Sequence, residues 1–447
     1  MHNPSFDTAC AIRVQTENAK NTTEKTRWWI NPSVDPGASV FLVFVEVWAQ
    51  VRPLPPSGPT LNRRFAVQAA GVISAFSTVG FLGYRLFVST PRYNGPELDM
   101  QNKTVIVTEP SARLSRELLQ NLARRGANLI LACSDPDVCT DTKEKMLRVT
   151  KTNPSRVICR RLEMNSSTSV RRFAAEILAD HPKLDRVIIQ SPSCVTGVIA
   201  GKRRPTFDGI EHELGTNYFN AYLLSRLLWD RVDSSNGRLI LVADTDAATT
   251  EAESAPRMPN GKQLEFPMDD LNFESDQKYE PKKAYQRSQW FLQMFADELS
   301  RRTAGKTNAS IVLVNPRISH STAPPPDANS ETSSGFFERF LDYGARLLRR
   351  KAASTTFFCT VADLKPVGQQ NEQQPSDSAP SNASSDRNVK RAPVYQDLRL
   401  IHCPTTTDEI TESSRTAAEI LWKVSDKWTR LDTHPAPLPL PPRPLRV

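Results

Sequence analysis

Residues 104–133, TVIVTEPSARLSRELLQNLARRGANLILAC, hold two β-branched apolar runs separated by a stretch of helical period. TVIVT (104–108) and NLILAC (128–133) are apolar almost without interruption, and residues 112–125 between them repeat apolar positions every three to four residues. A strand read as a continuous apolar run is buried on both faces, which is the signature of a parallel sheet under helices. The alternation continues outward. RVICR (156–160), RVIIQ (186–190), RLILVA (238–243) and SIVLVN (310–315) are further strands, and 141–150, 167–180, 211–232 and 281–303 are helical. Right-handed crossovers between successive parallel strands then give a doubly wound α/β sheet of Rossmann type with helices on both faces. Its ligand crevice is expected at the carboxyl ends of the strands.

Composition agrees with one large domain with loose ends. The 447 residues are 39% hydrophobic, with 19 Phe and 7 Trp, which excludes a wholly disordered chain. They include 17 Gly and 34 Pro, where average usage gives roughly 31 and 22. The chain is short of the residue that lets backbone approach phosphate. The 57 Lys and Arg exceed 49 Asp and Glu by a spread +8, read as a solvated surface, so nucleic acid is not an expected partner. Six scattered His give no zinc spacing, and no metal is expected. The seven Cys are odd in number with no C-x-x-C, and four sit in or beside apolar runs. They read as reduced thiols in a reducing compartment. Five N-x-[ST] sequons, beginning at Asn21, Asn102, Asn165, Asn308 and Asn382, leave a lumenal placement open.

Outside the alternating core, Phe65–Tyr84 contains no charged residue and is flanked by Arg63-Arg64 and Arg85. Twenty residues at about 1.5 Å each span about 30 Å, a bilayer's hydrocarbon core, so 63–90 is expected to be a single membrane anchor preceding the domain. Arginines on both sides leave its orientation unresolved. Residues 1–62 read as a poorly ordered extension, 366–393 as a low-complexity insertion, and 434–447 as a Pro-rich tail with a PxxP at Pro439–Pro442. Residues 321–335 form a loop and FFERFLDYGARLLRRK (336–351) a basic amphipathic helix, either packing or resting on a membrane over an apolar ligand.

TFDGIEHELGTNYFNAYLLSRLL (206–228), FESDQKYEPKKAYQRSQW (273–290), STTFFCTVA (354–362) and AEILWKVSDKW (418–428) resemble segments of the short-chain dehydrogenase/reductase family, most closely its membrane-bound retinol dehydrogenase-like branch, over about 97–433. The resemblance implies an NAD(P)-dependent alcohol or carbonyl oxidoreductase of an endoplasmic reticulum or mitochondrial membrane, acting on apolar small molecules.

The chemistry-bearing positions depart from that pattern. The family's T-G-x-x-x-G-x-G phosphate loop falls on Thr108, Glu109, Pro110, Ser111, Ala112, Arg113, Leu114 and Ser115, so that no glycine remains; Arg113 is the candidate compensating phosphate contact. Asp135 after the second strand stands where a ribose hydroxyl would be bound, leaning to NAD, and Glu163 takes the acidic position after the third. The family's N-N-A-G becomes Gln190-Ser191-Pro192-Ser193, and Pro316 begins the segment after the sixth strand. Of the family's Asn-Ser-Tyr-Lys set, Asn217 and Tyr285 match, while Asp244 replaces the Ser and Gln289 the Lys. Loss of a cation and gain of a carboxylate both disfavour tyrosinate and move Tyr285 away from a useful base. The expectation is a degenerate catalytic set and a cofactor, NAD or NADP, that binds poorly if at all. The protein would then act by binding, scaffolding or regulation. The rivals are a working oxidoreductase on retinol-like or lipid substrates, and an interaction protein using its Pro-rich tail.

Overall fold

The computed structural model describes residues 98–254, 270–274, 279–316, 353–362, 364, 392–396, 399–402 and 410–438, all within the compact unit Leu86–Val447. The expected anchor at 63–90, the extension 1–62, the insertion 366–393 and the basic helix 336–351 lie outside the described residues. Among the described residues no helix is long and apolar enough to cross a membrane.

Eight strands form one sheet in the order β3-β2-β1-β4-β5-β6-β7-β8. They are β1 Thr104–Thr108, β2 Asn128–Cys133, β3 Val157–Arg161, β4 Arg186–Gln190, β5 Arg238–Val242, β6 Ser310–Val314, β7 Val394–Gln396 and β8 Arg399–His402. The first seven are parallel and β8 returns antiparallel on the edge. The strand order reverses between β1 and β4, and a doubly wound sheet carries its crevice at that switch point.

The helices follow from local chemistry. Helix α1, Ser115–Arg124, leaves the turn after β1. Helix α2, Pro136–Thr150, starts on a proline, and the Asp135 side chain caps it by accepting from the Asp137 and Val138 N–H groups. Ser166 caps α3, Ser167–Asp180, through the Ser169 N–H. Helix α4, Pro192–Thr196, is one short turn after β4. Helix α5 opens at His212–Leu214 under the Glu211 carboxylate, passes through a π-helical turn at Gly215–Phe219 and continues as Asn220–Ser234. Helix α6 is Thr245–Ser254, α7 is Pro281–Thr303, α8 covers 353–361, and α9 is Ile410–Trp428.

Alternate strand residues feed two cores. Val105, Val107, Leu129, Leu131, Ile240 and Val242 join α1, α2 and α8 on one face. Ile106, Ile130, Val187, Ile189, Leu239 and Leu241 join α3, α5, α7 and α9 on the other. Helix α8 ends on cations: Arg238 donates to the Cys359, Ala362 and Leu364 carbonyls and to Ser310 Oγ, and Arg186 donates to the Thr360 carbonyl. Guanidinium groups there satisfy free carbonyls and meet the negative end of the helix dipole.

Two sequence readings change. Cys133 and Cys139 are not reduced thiols but a disulfide, with Cα atoms 5.8 Å apart. The Asp135 cap and Pro136 turn the chain so sharply after β2 that the first turn of α2 lies back against the strand end. Cys159, Cys194 and Cys359 are free, the last two buried. Packing also continues beyond 433. Arg171 on α3, itself buried, donates to the backbone carbonyls of Thr429, Arg430, His434 and Ala436. The Pro-rich segment is therefore held to the domain through Ala436.

Candidate active site

Two polar networks sit at the carboxyl ends of the central strands. The first closes the loop after β1. Gln190, fully buried at the end of β4, donates from Nε2 to the Thr108 carbonyl at 2.6 Å and to Ser115 Oγ at 2.8 Å. Its backbone N–H donates to Thr108 Oγ1 at 2.8 Å. Ser115 Oγ in turn donates to the Glu109 carbonyl at 2.8 Å, so this side chain ties the loop's two ends together. Glu109 has φ of 50°, a left-handed conformation that suits glycine and strains a larger residue. Its carboxyl is half-buried, and desolvation lifts its pKa above the ordinary carboxylate value.

A pKa raised in the folded state favours the protonated form, so its stabilising contribution is complete below the unfolded carboxyl pKa of about 4.5 and is lost as pH rises through the folded value. At neutral pH Glu109 works against folding. Glu109→Gln is therefore expected to raise the Tm at pH 7, with the gain shrinking as the protein is melted at successively lower pH toward 4. An equal gain at both pH values would point to side-chain shape rather than charge.

The second network surrounds Tyr285. Its hydroxyl donates to Asp244 Oδ2 at 3.2 Å and meets the Cys194 thiol. Burial first, then Cys194 and Asp244, push the tyrosine pKa well above its usual 10. The hydroxyl keeps its proton through the neutral range and is a poor base there. Gln289, one turn along α7, is fully buried with its carboxamide engaged at both ends. Oε1 accepts from the Asp244 N–H at 2.9 Å, and Nε2 donates to Ser191 Oγ at 2.9 Å and Ser288 Oγ at 3.3 Å. Asp244 Oδ1 also accepts from the Ala247 N–H at 2.9 Å in the first turn of α6. Asn217 lies in the π turn of α5 and donates to Glu213 Oε2 at 2.8 Å and Ser288 Oγ at 3.1 Å.

The structure thus assembles Thr108, Ser115 and Gln190 in one group and Asn217, Asp244, Tyr285 and Gln289 in another. Four other candidates join neither. Asp135 spends its carboxylate capping α2, Glu163 accepts from Arg161 Nε at 3.0 Å, and Arg113 is exposed. Pro316 is buried just past β6. Sequence reading placed Ser191 and Ser193 in the altered N-N-A-G motif without giving them a role, and it missed Cys194, Glu213 and Ser288. Glu213 is a fully buried carboxylate that takes hydrogen bonds from Ser193 Oγ, Asn217 and the Ala200 N–H. Its partners lie up to 20 residues away in sequence, with no spacing to advertise them. Among the described residues no group of three or more His, Cys, Asp or Glu is arranged to hold a metal.

No family model matches the chain. Individual relatives do. Human retinol dehydrogenase 13 is 28% identical over 304 residues, covering 67% of this chain and 84% of its own. Human retinol dehydrogenase 14 is 27% identical over 268 residues, covering 55% and 74%. The chain is thus similar to retinol dehydrogenases, members of the short-chain dehydrogenase/reductase family. A solved structure of an uncharacterised protein from Mycobacterium paratuberculosis is 23% identical, with a TM-score of 0.47, covering 77% of this chain and 97% of its own.

Short-chain dehydrogenase/reductase members bind NAD(P), and the fit of such a dinucleotide to this retinol dehydrogenase-like chain turns on its first loop. A pyrophosphate needs open N–H groups and close backbone approach. Here the Ala112 and Ser115 N–H groups are spent on the Glu109 and Ala112 carbonyls within the loop, Pro110 has no N–H to offer, and the strained Glu109 brings a carboxyl to it. Gln190 Oε1 is a buried acceptor with no partner, which a ligand group made of acceptors does not relieve. The residues present do not fit the group.

Proposed function

We propose that this chain uses the short-chain dehydrogenase/reductase fold as a membrane-anchored binding or regulatory protein with little or no oxidoreductase turnover. The reading rests on the loop after β1, whose Ala112 and Ser115 N–H groups are spent on the loop's own carbonyls and whose strained Glu109 puts a carboxyl where a dinucleotide's phosphates would lie. The second network supports it: Tyr285 is held protonated, and a neutral Gln289 stands where the family's lysine would supply a cation. An apolar small molecule is the ligand class, since the named relatives are retinol dehydrogenases. The anchor is the uncharged Phe65–Tyr84 segment, in an endoplasmic reticulum or mitochondrial membrane.

Titration of the purified full chain in detergent with NAD(H) and NADP(H), followed by intrinsic fluorescence, tests the proposal. No saturation in the micromolar range is expected with any of the four. Micromolar binding of one of them would overturn the reading in favour of an active oxidoreductase with Tyr285 as acid/base. Deleting 439–447 is expected to leave partner capture unchanged, which separates this reading from one in which the tail is the functional element.

A further inference from the structure

The disulfide and two exposed sequons carry a conclusion about this protein's compartment and covalent state that goes beyond the proposed function. Asn102, in the sequence Asn102-Lys103-Thr104, sits in the turn that enters β1. Asn308, in Asn308-Ala309-Ser310, sits in the turn that enters β6. Both side chains are exposed, and neither carboxamide has a hydrogen-bond partner among the described residues. Asn165, by contrast, is half-buried.

Geometry makes the two positions compatible with large additions. Both lie at the amino ends of their strands, opposite the carboxyl-end networks. Since β4 and β5 separate β1 from β6, they are about 14 Å apart across the sheet, three strand spacings. Glycans there would cover neither the candidate site nor each other. An independent observation points to the same compartment. Cys133 and Cys139 are paired, while Cys194 and Cys359, the other buried cysteines described, are too enclosed to exchange with them. Disulfides form and persist in oxidising compartments and are rare where glutathione keeps thiols reduced.

We propose that the folded domain is a lumenal glycoprotein, carrying N-linked glycans on Asn102 and Asn308 and the Cys133–Cys139 disulfide. Of the two membranes named above, this selects the endoplasmic reticulum. It also orients the anchor, which the flanking arginines leave undecided, by placing its C-terminal side in the lumen. Transfer from a lipid-linked oligosaccharide diphosphate forms a bond between the sugar's anomeric carbon and asparagine Nδ2. It breaks that carbon's bond to the diphosphate oxygen, releasing the lipid diphosphate and one amide proton. Pairing of the cysteines forms one S–S bond and passes two electrons and two protons to the disulfide of a protein oxidoreductase, which becomes a dithiol.

The test uses the full chain expressed in animal cells and lysed in denaturant with N-ethylmaleimide. Treatment with peptide N-glycosidase is expected to increase gel mobility. Asn102→Asp and Asn308→Asp should each remove one step of that shift; aspartate is chosen because it tolerates the φ of 58° at residue 102. The tryptic peptide Gly126–Lys143, which contains both cysteines, should carry no maleimide and be two hydrogens lighter than its dithiol form. An unshifted band, a shift unchanged by both substitutions, or maleimide on Cys133 and Cys139 overturns the proposal. Cofactor binding does not enter the readout, so it stands or falls separately from the proposed function.

Discussion

Returning Glu109, Arg113 and Ser115 together to glycine is expected to tighten NAD(H) or NADP(H) binding by at least tenfold, measured by the same fluorescence titration. Three effects act in one direction. Glycine at 109 accepts the φ of 50° without strain and removes a carboxyl from the neighbourhood of a doubly anionic group. A like-charge contact at about 4 Å and an effective dielectric of about 20 costs about 4 kcal/mol, close to a thousandfold in affinity before screening and reorientation reduce it. Glycine at 115 removes the hydroxyl that ties the loop shut through the Glu109 carbonyl. Glycine at 113 removes bulk where backbone must come close. By contrast, Gln289→Lys with Asp244→Ser should restore no turnover alone, because it repairs the proton-transfer group while leaving the cofactor's seat closed. If the triple-glycine variant folds with an unchanged Tm and still binds nothing, the loop is not the deeper defect. Pro192 and the Gln190 carboxamide would then be the next obstacles.

Arg238→Met is expected to be the most damaging single change to stability, costing about 3 kcal/mol. The side chain is 3% exposed and donates to Ser310 Oγ and to three carbonyls at the end of α8. Methionine fills much of the volume but donates nothing, leaving buried acceptors unsatisfied at about 1–3 kcal/mol where water cannot reach. Arg186 still holds the Thr360 carbonyl, which limits the loss. For a domain of this size the expected drop in Tm is roughly 3–5 °C. Arg238→Lys should recover part of it, since an ammonium can reach fewer of the carbonyls. A loss below 1 kcal/mol would mean that water replaces the guanidinium and that the end of α8 is not sealed.

The sheet was legible because five of its first six strands are nearly unbroken apolar runs, as burial on both faces demands, and the edge strand β3 is apolar over Val157–Cys159. Strands β7 and β8 were not. Val394–Gln396 is three residues long and follows a low-complexity stretch, so it has no period to detect. It becomes a strand because β6 offers it a hydrogen-bonding edge. At the site, the replacements at 109, 113, 115, 244 and 289 could be read as departures from a family pattern. Their consequences could not. Gln190 reaches Ser115 across 75 residues and Gln289 reaches Ser191 across 98, so what fills the space of the missing glycine and lysine is decided by tertiary contact. The same holds for Cys133 and Cys139. Their spacing matches no motif, and only the capped turn after β2 brings them together.

Arg171 gives the chain a timing problem. Its four carbonyl acceptors follow it by 258 to 265 residues. At about 5–20 residues per second, a ribosome needs on the order of 10 to 50 s to supply them after α3 has been made. During that interval a guanidinium destined for burial has no acceptors. The outer side of α3 can close only once residues 429–436 have been made, have left the ribosome and are free to dock. The nascent protein therefore presents that side to chaperones until then, and a premature stop before residue 429 would leave it presented permanently.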